Sequence, residues 1–265
     1  MNLGSGQKLC LVANTDWYLY NFRLPLAKKM RGLGWEVVLI SPPGTYAARM
    51  IEEGFRWIEW SVNRRGLNLG QELNSLLRLA KIYKQERPLL VHHFTVKSVL
   101  YGSLAGRMKK IPAVVNSITG LGYIFLRSGW SGVMLRALVI PLYRLALRHK
   151  NVRVIFENED DQNIFLKYYL VELSQISIIE GVGVDVEKFK PRPEVTDKPT
   201  VVMPSRLLWD KGVGVFVEAA RRLRESNLMR FALVGMPDPG NPASISTTQL
   251  QKWISEGLIE HWGFR

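Results

Sequence analysis

Short apolar runs alternate with longer segments of helical period along most of the 265 residues. KLCLVA (8–13), EVVLIS (36–41), PLLVHH (88–93), PAVVNS (112–117), VRVIF (152–156), TVVMP (200–204) and RFALVG (230–235) have the length and composition of strands, and another strand begins at LIEHWG (258–263). Between them NFRLPLAKKMRGLG (21–34), YAARMIEEG (46–54), LGQELNSLLRLAKIYKQE (69–86), SVLYGSLAGRMKK (98–110), DDQNIFLKYYL (160–170), DKGVGVFVEAARRLRES (210–226) and TTQLQKWISEG (247–257) read as helices, with RWIEW (56–60) in the gap before the longest. Strands and helices in this alternation predict βαβ units, hence an α/β fold with a parallel sheet covered on both faces.

Two stretches interrupt the rhythm. SITGLGYIFLRSGW (117–130) is glycine-rich and aromatic, which is either a surface turn or a loop that lets a ligand approach the backbone closely. ISIIEGVGVDVEKFKPRPEVTDKP (176–199) ends in three prolines among charged residues and predicts a linker, dividing the chain into domains of residues 1–193 and 194–265. The second segment has only two or three strands, too few for a self-sufficient doubly wound sheet, and is expected to be a domain cut short. After the linker, TVVMP runs into SRLLWDKGV, which puts Arg206 at a strand's carboxyl end, Asp210 at the expected N-cap and Lys211 and Gly212 at the start of a helix. Two cations at a helix N-terminus on that rim attract a phosphate.

Charge narrows the partners. Residues 1–195 hold 27 Lys and Arg against 16 Asp and Glu, residues 196–265 hold 9 against 7, and from Arg87 to Phe156 there are 11 basic residues and no acid. The field favours lipid headgroups, nucleic acid or a phosphorylated substrate. Within that stretch VMLRALVIPLYRLALRHK (133–150) puts Arg136, Arg144 and Arg148 within about 120° of arc, opposite Leu135, Leu138, Val139, Leu142 and Leu145. It reads either as a core-packing helix with a basic outer face or as an interfacial membrane helix; the arginines and Pro141 argue against a membrane span. The single cysteine, Cys10, is expected in the core, and it excludes an internal disulfide or a cysteine-rich metal site. The N-terminus has no long apolar run of the signal-peptide kind, so a cytoplasmic location is expected.

Several stretches together resemble the GT-B-fold, family-4 retaining glycosyltransferases, especially bacterial members that extend polyprenyl-diphosphate-linked glycans for surface polysaccharides. They are NFRLPLAKKMRGLGWEVVLISP, VHHFTVKSVLYGSLAGR, VVNSITGLGYIF, VIFENEDD, IIEGVGVDVEKFKP and SRLLWDKGV, in the family's order. The resemblance implies two Rossmann-like domains facing a cleft: a complete N-terminal one for a membrane-held glycan acceptor, and an incomplete C-terminal one for a nucleotide diphosphate sugar, which is a co-substrate rather than a cofactor. Arg206 and Lys211 match the family's Arg-x4-Lys pair, expected to bind the donor diphosphate and to act catalytically by holding the charge that grows on it. On the acceptor side the resemblance and the rim positions point to His93, with Thr95 and Lys97, to Asn14, Asp16 and Asn21 after the first strand, and to Gly120, Gly122 and Tyr123. His92 and His93 point to opposite faces, so only one can line the cleft, and His93 is expected to do so. Asp16 has the alternative role of capping the next helix.

Two departures stand against the pattern. Residues 1–265 hold no counterpart of the family's two glutamates eight residues apart, and Ile118 stands where many members have a histidine. Low activity of this polypeptide is therefore expected, and the alternative is a non-catalytic remnant that binds an acceptor or partner at a membrane. Either form is expected to lie peripherally on an anionic membrane, at the inner face of the plasma membrane. No metal is expected. A nicotinamide enzyme is excluded by the absence of GxGxxG after the first strand, and nucleic-acid binding has charge but no motif in its favour.

Overall fold

The computed structural model describes residues 6–63, 68–120, 125, 129–191, 193, 198–226, 228–238, 241 and 243–264. The chain forms two compact units, Met1–Asp185 and Val186–Arg265.

In the first unit β1 (Lys8–Val12), β2 (Glu36–Ser41), β3 (Arg56–Glu59), β4 (Leu90–Phe94), β5 (Ala113–Ile118), β6 (Val152–Phe156) and β7 (Ile176–Ile178) form one parallel sheet in the order β3-β2-β1-β4-β5-β6-β7. Its helices are α1 (Asp16–Tyr18), which passes through a π-helical stretch, Leu19–Arg23, into α2 (Leu24–Gly32), then α3 (Thr45–Glu52), α4 (Leu69–Glu86), α5 (Val96–Met108), α6 (Gly129–Leu147) and α7 (Glu159–Lys167). Alternation along the strands sends Cys10, Val12, Val91 and Val154 into one core with Tyr83 of α4, Val99 of α5, Tyr143 of α6 and Phe165 of α7. The intervening Leu9, Leu11, Leu39 and Phe94 join Leu19, Leu24, Ala27 and Met50 from α1, α2 and α3 on the other face. Burial pushes the Cys10 thiol up to about 12, which leaves it an inert core group.

This winding places the site. The chain goes outward from β1 to β3 and then outward the other way from β4 to β7. The α1–α3 connections therefore cover one face and α5–α7 the other, and a crevice opens between the carboxyl ends of β1 and β4.

The second unit has β8 (Thr200–Pro204), β9 (Arg230–Val234) and β10 (Glu260–His261), parallel in the order β10-β9-β8, with α8 (Val213–Leu223) and α9 (Thr247–Ser255). Leu207, Val217, Phe231, Leu233, Leu250 and Trp253 make its core.

The structure departs from the sequence reading in three places. Ile176–Ile178, taken with the linker, pairs with β6 as the seventh strand of the sheet. Asp210 is not the N-cap of α8; it lies in a 3-10 turn, Trp209–Lys211, that ends on Gly212 at φ 79°, and this glycine is the cap. On α6 the buried side is Tyr143, Ala146 and Leu147, with Val139 and Ile140 packed against them, while Leu142 and Leu145 are exposed. The core slot goes to Tyr143, whose ring meets Phe125 and, edge to face at 5.5 Å, Phe165.

In the second unit the strand tops meet at Gly235, whose N–H donates to Gly263 O at 2.8 Å and whose φ is 139°. A Cβ there would lie 1.9 Å from Ser205 O, a backbone atom that cannot swing aside. Gly235→Ala is expected to destabilise this unit by about 3 kcal/mol, from overpacking plus backbone strain. Chemical denaturation of the full chain, followed by fluorescence, checks this; a midpoint equal to that of the unsubstituted chain would contradict it.

Candidate functional site

At the carboxyl edge of the larger sheet, polar side chains gather around the β1–β4 crevice. The π-helical stretch shifts the register of the helix after β1 and carries Arg23 over the top of β4. Its guanidinium carbon is 4.4 Å from the centre of the Phe94 ring and 5.3 Å from that of Tyr18, and Nη2 donates to the Tyr18 hydroxyl at 2.5 Å. Nη2 also lies 3.7 Å from Glu157 Oε1, beyond the end of β6, and the Arg23 side chain is 12% exposed. Burial pushes the Glu157 carboxyl upward; Arg23 opposes the shift and Asp161 adds to it. The Tyr18 hydroxyl also meets the side chain of Thr119, after β5. His92 completes the group. Its ring is 4.1 Å from that of Phe94 and its Nε2 is 2.8 Å from Ser117 Oγ. Burial, then Arg23 and His93, hold it well below the usual histidine range, so it is neutral. A neutral imidazole, a fixed cation and a carboxylate biased toward its protonated form suit hydrogen bonding to a polyhydroxylated or phosphorylated ligand.

The residues expected there fall into three groups. His93 does not line the crevice: it is fully buried, its Nε2 accepting from the Tyr83 hydroxyl at 2.8 Å and its Nδ1 meeting Asn116 Oδ1 at 2.7 Å. Desolvation lowers its pKa to about 4, and a neutral ring with one donor and one acceptor uses both nitrogens on these partners. The two histidines do face opposite ways, with His92 on the α1–α2 side. Lys97 is engaged by Glu72 Oε1 at 2.6 Å and Asn63 O at 2.7 Å. The Asp16 carboxylate is also committed, because it accepts from Trp17 N at 2.8 Å, Tyr46 N at 2.7 Å and Ala47 N at 3.2 Å. It caps the start of α3 rather than the next helix, whose cap is Thr15. A Cβ on Gly44 would stand 2.3 Å from Asp16 Oδ2, which is why glycine precedes α3.

Asn14 and Thr95 stand at the carboxyl edge of the sheet, two residues after β1 and one after β4. Thr95 has φ 73° and ψ 152°, a strained conformation for a β-branched residue, and its Oγ1 is 3.3 Å from Ser98 Oγ. Asn21 is exposed and its Nδ2 donates to Trp17 O at 2.9 Å. Gly120 follows β5 at φ 125°, a backbone that requires glycine. Gly122 and Tyr123 lie outside the described residues. Sequence reasoning missed Arg23 and Glu157 and chose His93 over His92, although all three lie in the quoted stretches NFRLPL, VIFENEDD and VHHFTV.

In the second unit Arg206 follows β8 with its side chain 63% exposed, and its Nη1 is 3.4 Å from Asp238 Oδ2. An exposed pair of that length holds the guanidinium only weakly. Lys211 is exposed beside Gly212, and the N-cap of α8, being glycine, offers no side chain to its first turn. Cations at an uncapped helix start fit an anion. Among the described residues no group of acidic, histidine or cysteine side chains could hold a metal.

The fold is that of the GT-B class. A glycosyltransferase from Rickettsia africae superposes with a TM-score of 0.70 at 20% identity, over 98% of this chain and 68% of that one. HepE of Anabaena, solved with UDP and glucose, gives 0.70 at 15% identity over 98% and 70%. The family model described as "Glycosyl transferase 4-like" matches residues 8–158, and the chain belongs to that family. It is 28% identical over 260 residues to the N,N'-diacetylbacillosaminyl-diphospho-undecaprenol alpha-1,3-N-acetylgalactosaminyltransferase of Campylobacter jejuni, covering 93% of this chain and 67% of the relative. It is 29% identical over 185 residues to the UDP-Gal:alpha-D-GlcNAc-diphosphoundecaprenol alpha-1,3-galactosyltransferase of Escherichia coli, covering 64% and 46%.

The buried state of His93 sets a pH dependence. The unfolded chain takes up a proton near pH 6.5 and the folded one only near pH 4, so stability is full above about 6.5 and falls as pH drops to about 4. The loss attributable to His93 is about 3 kcal/mol, and His92 adds to it in the same direction. In urea titrations across this window His93→Gln is expected to flatten the slope; a slope like the unsubstituted chain's would refute the assignment.

Proposed function

We propose that this chain acts in transfer of a hexosyl or N-acetylhexosaminyl unit from a nucleotide diphosphate sugar to a polyprenyl-diphosphate-linked glycan, with retention of configuration. The observation that carries the reading is the match along 260 residues to an enzyme whose named acceptor is a diphospho-undecaprenol glycoside; the second relative's is of the same kind. The anion-suited start of α8 supports it independently.

In this reading the first unit takes the acceptor at the β1–β4 crevice, with Arg23, His92, Thr95, Asn14 and Gly120 as contacts, and the second takes the donor. The bond between the sugar's anomeric carbon and the diphosphate oxygen breaks, and charge grows on the leaving nucleoside diphosphate. Arg206 with its fork of donors and Lys211 as a point charge stabilise that growing charge more than the ground state. The acceptor hydroxyl attacks from the face the diphosphate is leaving and gives its proton to a departing diphosphate oxygen, which retains configuration without a protein nucleophile. Among the described residues no helix is long and apolar enough to cross a membrane. A lipid-held acceptor and the acid-free basic stretch support a peripheral position on anionic lipid, at the cytoplasmic face of the plasma membrane.

The test is release of nucleoside diphosphate from a series of nucleotide sugars in the presence of a diphospho-polyprenol glycoside. Arg206→Ala and Lys211→Ala are each expected to lower kcat by about 10²-fold or more with little change in the unfolding midpoint, since both side chains are exposed. No release with any donor, or undiminished release by both variants, would sink the proposal.

A further inference from the structure

The side of α6 that the core leaves uncovered has no account in the transfer chemistry. At about 100° per residue Trp130, Val133, Met134, Arg144 and Leu145, with Arg148 just past the helix end, fall within about 120° of arc. All six are exposed, Trp130 to 80%, Met134 to 59% and Val133 to 51%. Three large apolar side chains in the first turns of a helix, open to water, form a patch that needs a partner. The helix joins two parallel strands, so it starts at the carboxyl edge of the sheet, where the crevice is, and returns to the amino edge.

Charge is arranged along the same surface. Arg107 Nη1 of α5 donates to Leu145 O at 2.8 Å and to Arg148 O at 2.5 Å, and His149 Nε2 meets Ile111 O at 2.8 Å. These bonds lay the end of α5 beside the end of α6 and bring the exposed Lys109 and Lys110 next to Arg148 and Lys150. Exposed Met108, at the last position of α5, adds an apolar group to this basic end. No acid occurs between Arg87 and Phe156; the stretch is bounded by Glu86 at the end of α4 and by Glu157 beyond β6, and Glu36 and Glu86 line a cavity at the amino edge of the sheet together with Lys109 and Lys110.

We infer that this face of α6 docks on an anionic lipid bilayer, with Trp130, Val133 and Met134 entering the headgroup–acyl boundary and Arg144, Arg148, Lys109, Lys110 and Lys150 held by acidic headgroups. The combination of an apolar row, a tryptophan and basic residues drawn from a stretch of chain without acids fits an interfacial helix. The inference deepens the proposed function and rests on its reading of a lipid-held acceptor: Trp130 lies at the edge of the sheet that carries the crevice, so docking there brings the crevice toward the bilayer.

The experiment is flotation of the full chain with vesicles of phosphatidylcholine alone and with phosphatidylglycerol added, at rising salt, without donor or acceptor. Binding to the acidic vesicles that falls with salt is expected. Trp130→Glu with Met134→Glu should weaken it about tenfold or more, and Arg148→Glu with Lys150→Glu should do the same at low salt only. All four side chains are exposed, and an unchanged unfolding midpoint confirms that the variants fold. Wild-type failure to float, or undiminished flotation of both double variants, overturns the inference. So does a wild-type dimer that the Trp130–Met134 variant breaks while vesicles are ignored, since the face would then belong to a second copy. Nucleoside diphosphate release with a short-chain, water-soluble diphosphate acceptor is read separately. Its loss in the wild type would end the transferase reading and leave the vesicle result standing.

Discussion

The hydrogen-bonded chain from Tyr83 through His93 to Asn116 and Ser103 ties α4, β4, β5 and α5 into one block. Every member is buried, so an imidazole left unpaired there would carry the full desolvation cost. Gly102 presses on the ring from α5, where a Cβ would come within 2.3 Å, so the histidine has one position available to it. Fixing His93 inward fixes the parity of β4, and parity puts His92 and Phe94 on the opposite face under Arg23. The ligand-side geometry of the crevice therefore depends on a residue that does not line it.

Around that crevice the electrostatics balance without a metal-like cluster of acids. Arg23 is largely buried, yet it lies over the rings of both Tyr18 and Phe94 and faces Glu157, which together offset its desolvation. Its field also helps to keep His92 neutral. By contrast, Lys97 and Asp16, which look like free charges at the rim in the sequence, are consumed in holding α5 to α4 and α3 to the loop after β1. The second unit is different in kind: Arg206 and Lys211 are exposed, and among the described residues the arginine has a long contact to Asp238. Side chains left so lightly held can still reorganise around an anionic ligand.

The outer face of α6 follows from packing rather than from the arginine arc. Tyr143 and the small Ala146 fit the space between α5 and the aromatic cluster of Phe125 and Phe165, and that choice rotates the helix so that Trp130 and Met134 face outward. A basic helix thereby becomes one with an exposed apolar row and a basic end.

The sequence by itself determined the α/β class, most of the strands and helices, and the placement of Arg206 and Lys211 in the β8–α8 connection. Each of these is a local matter: apolar period sets the element, and the step from TVVMP into the turn before α8 fixes the two cations within a few residues. Even there the cap moved from Asp210 to Gly212, because a 3-10 turn intervened. Only the tertiary structure decided which of two adjacent histidines faces the ligand side, that Asp16 caps a helix thirty residues further on, that Arg23 reaches Glu157 across the sheet, that Ile176–Ile178 is a strand, and which side of α6 meets water. The reason is the same in each case. Strand alternation fixes that two neighbours differ but not which face either takes, and helical period gives an arc but not its rotation. Both are set by contacts between segments far apart in the chain.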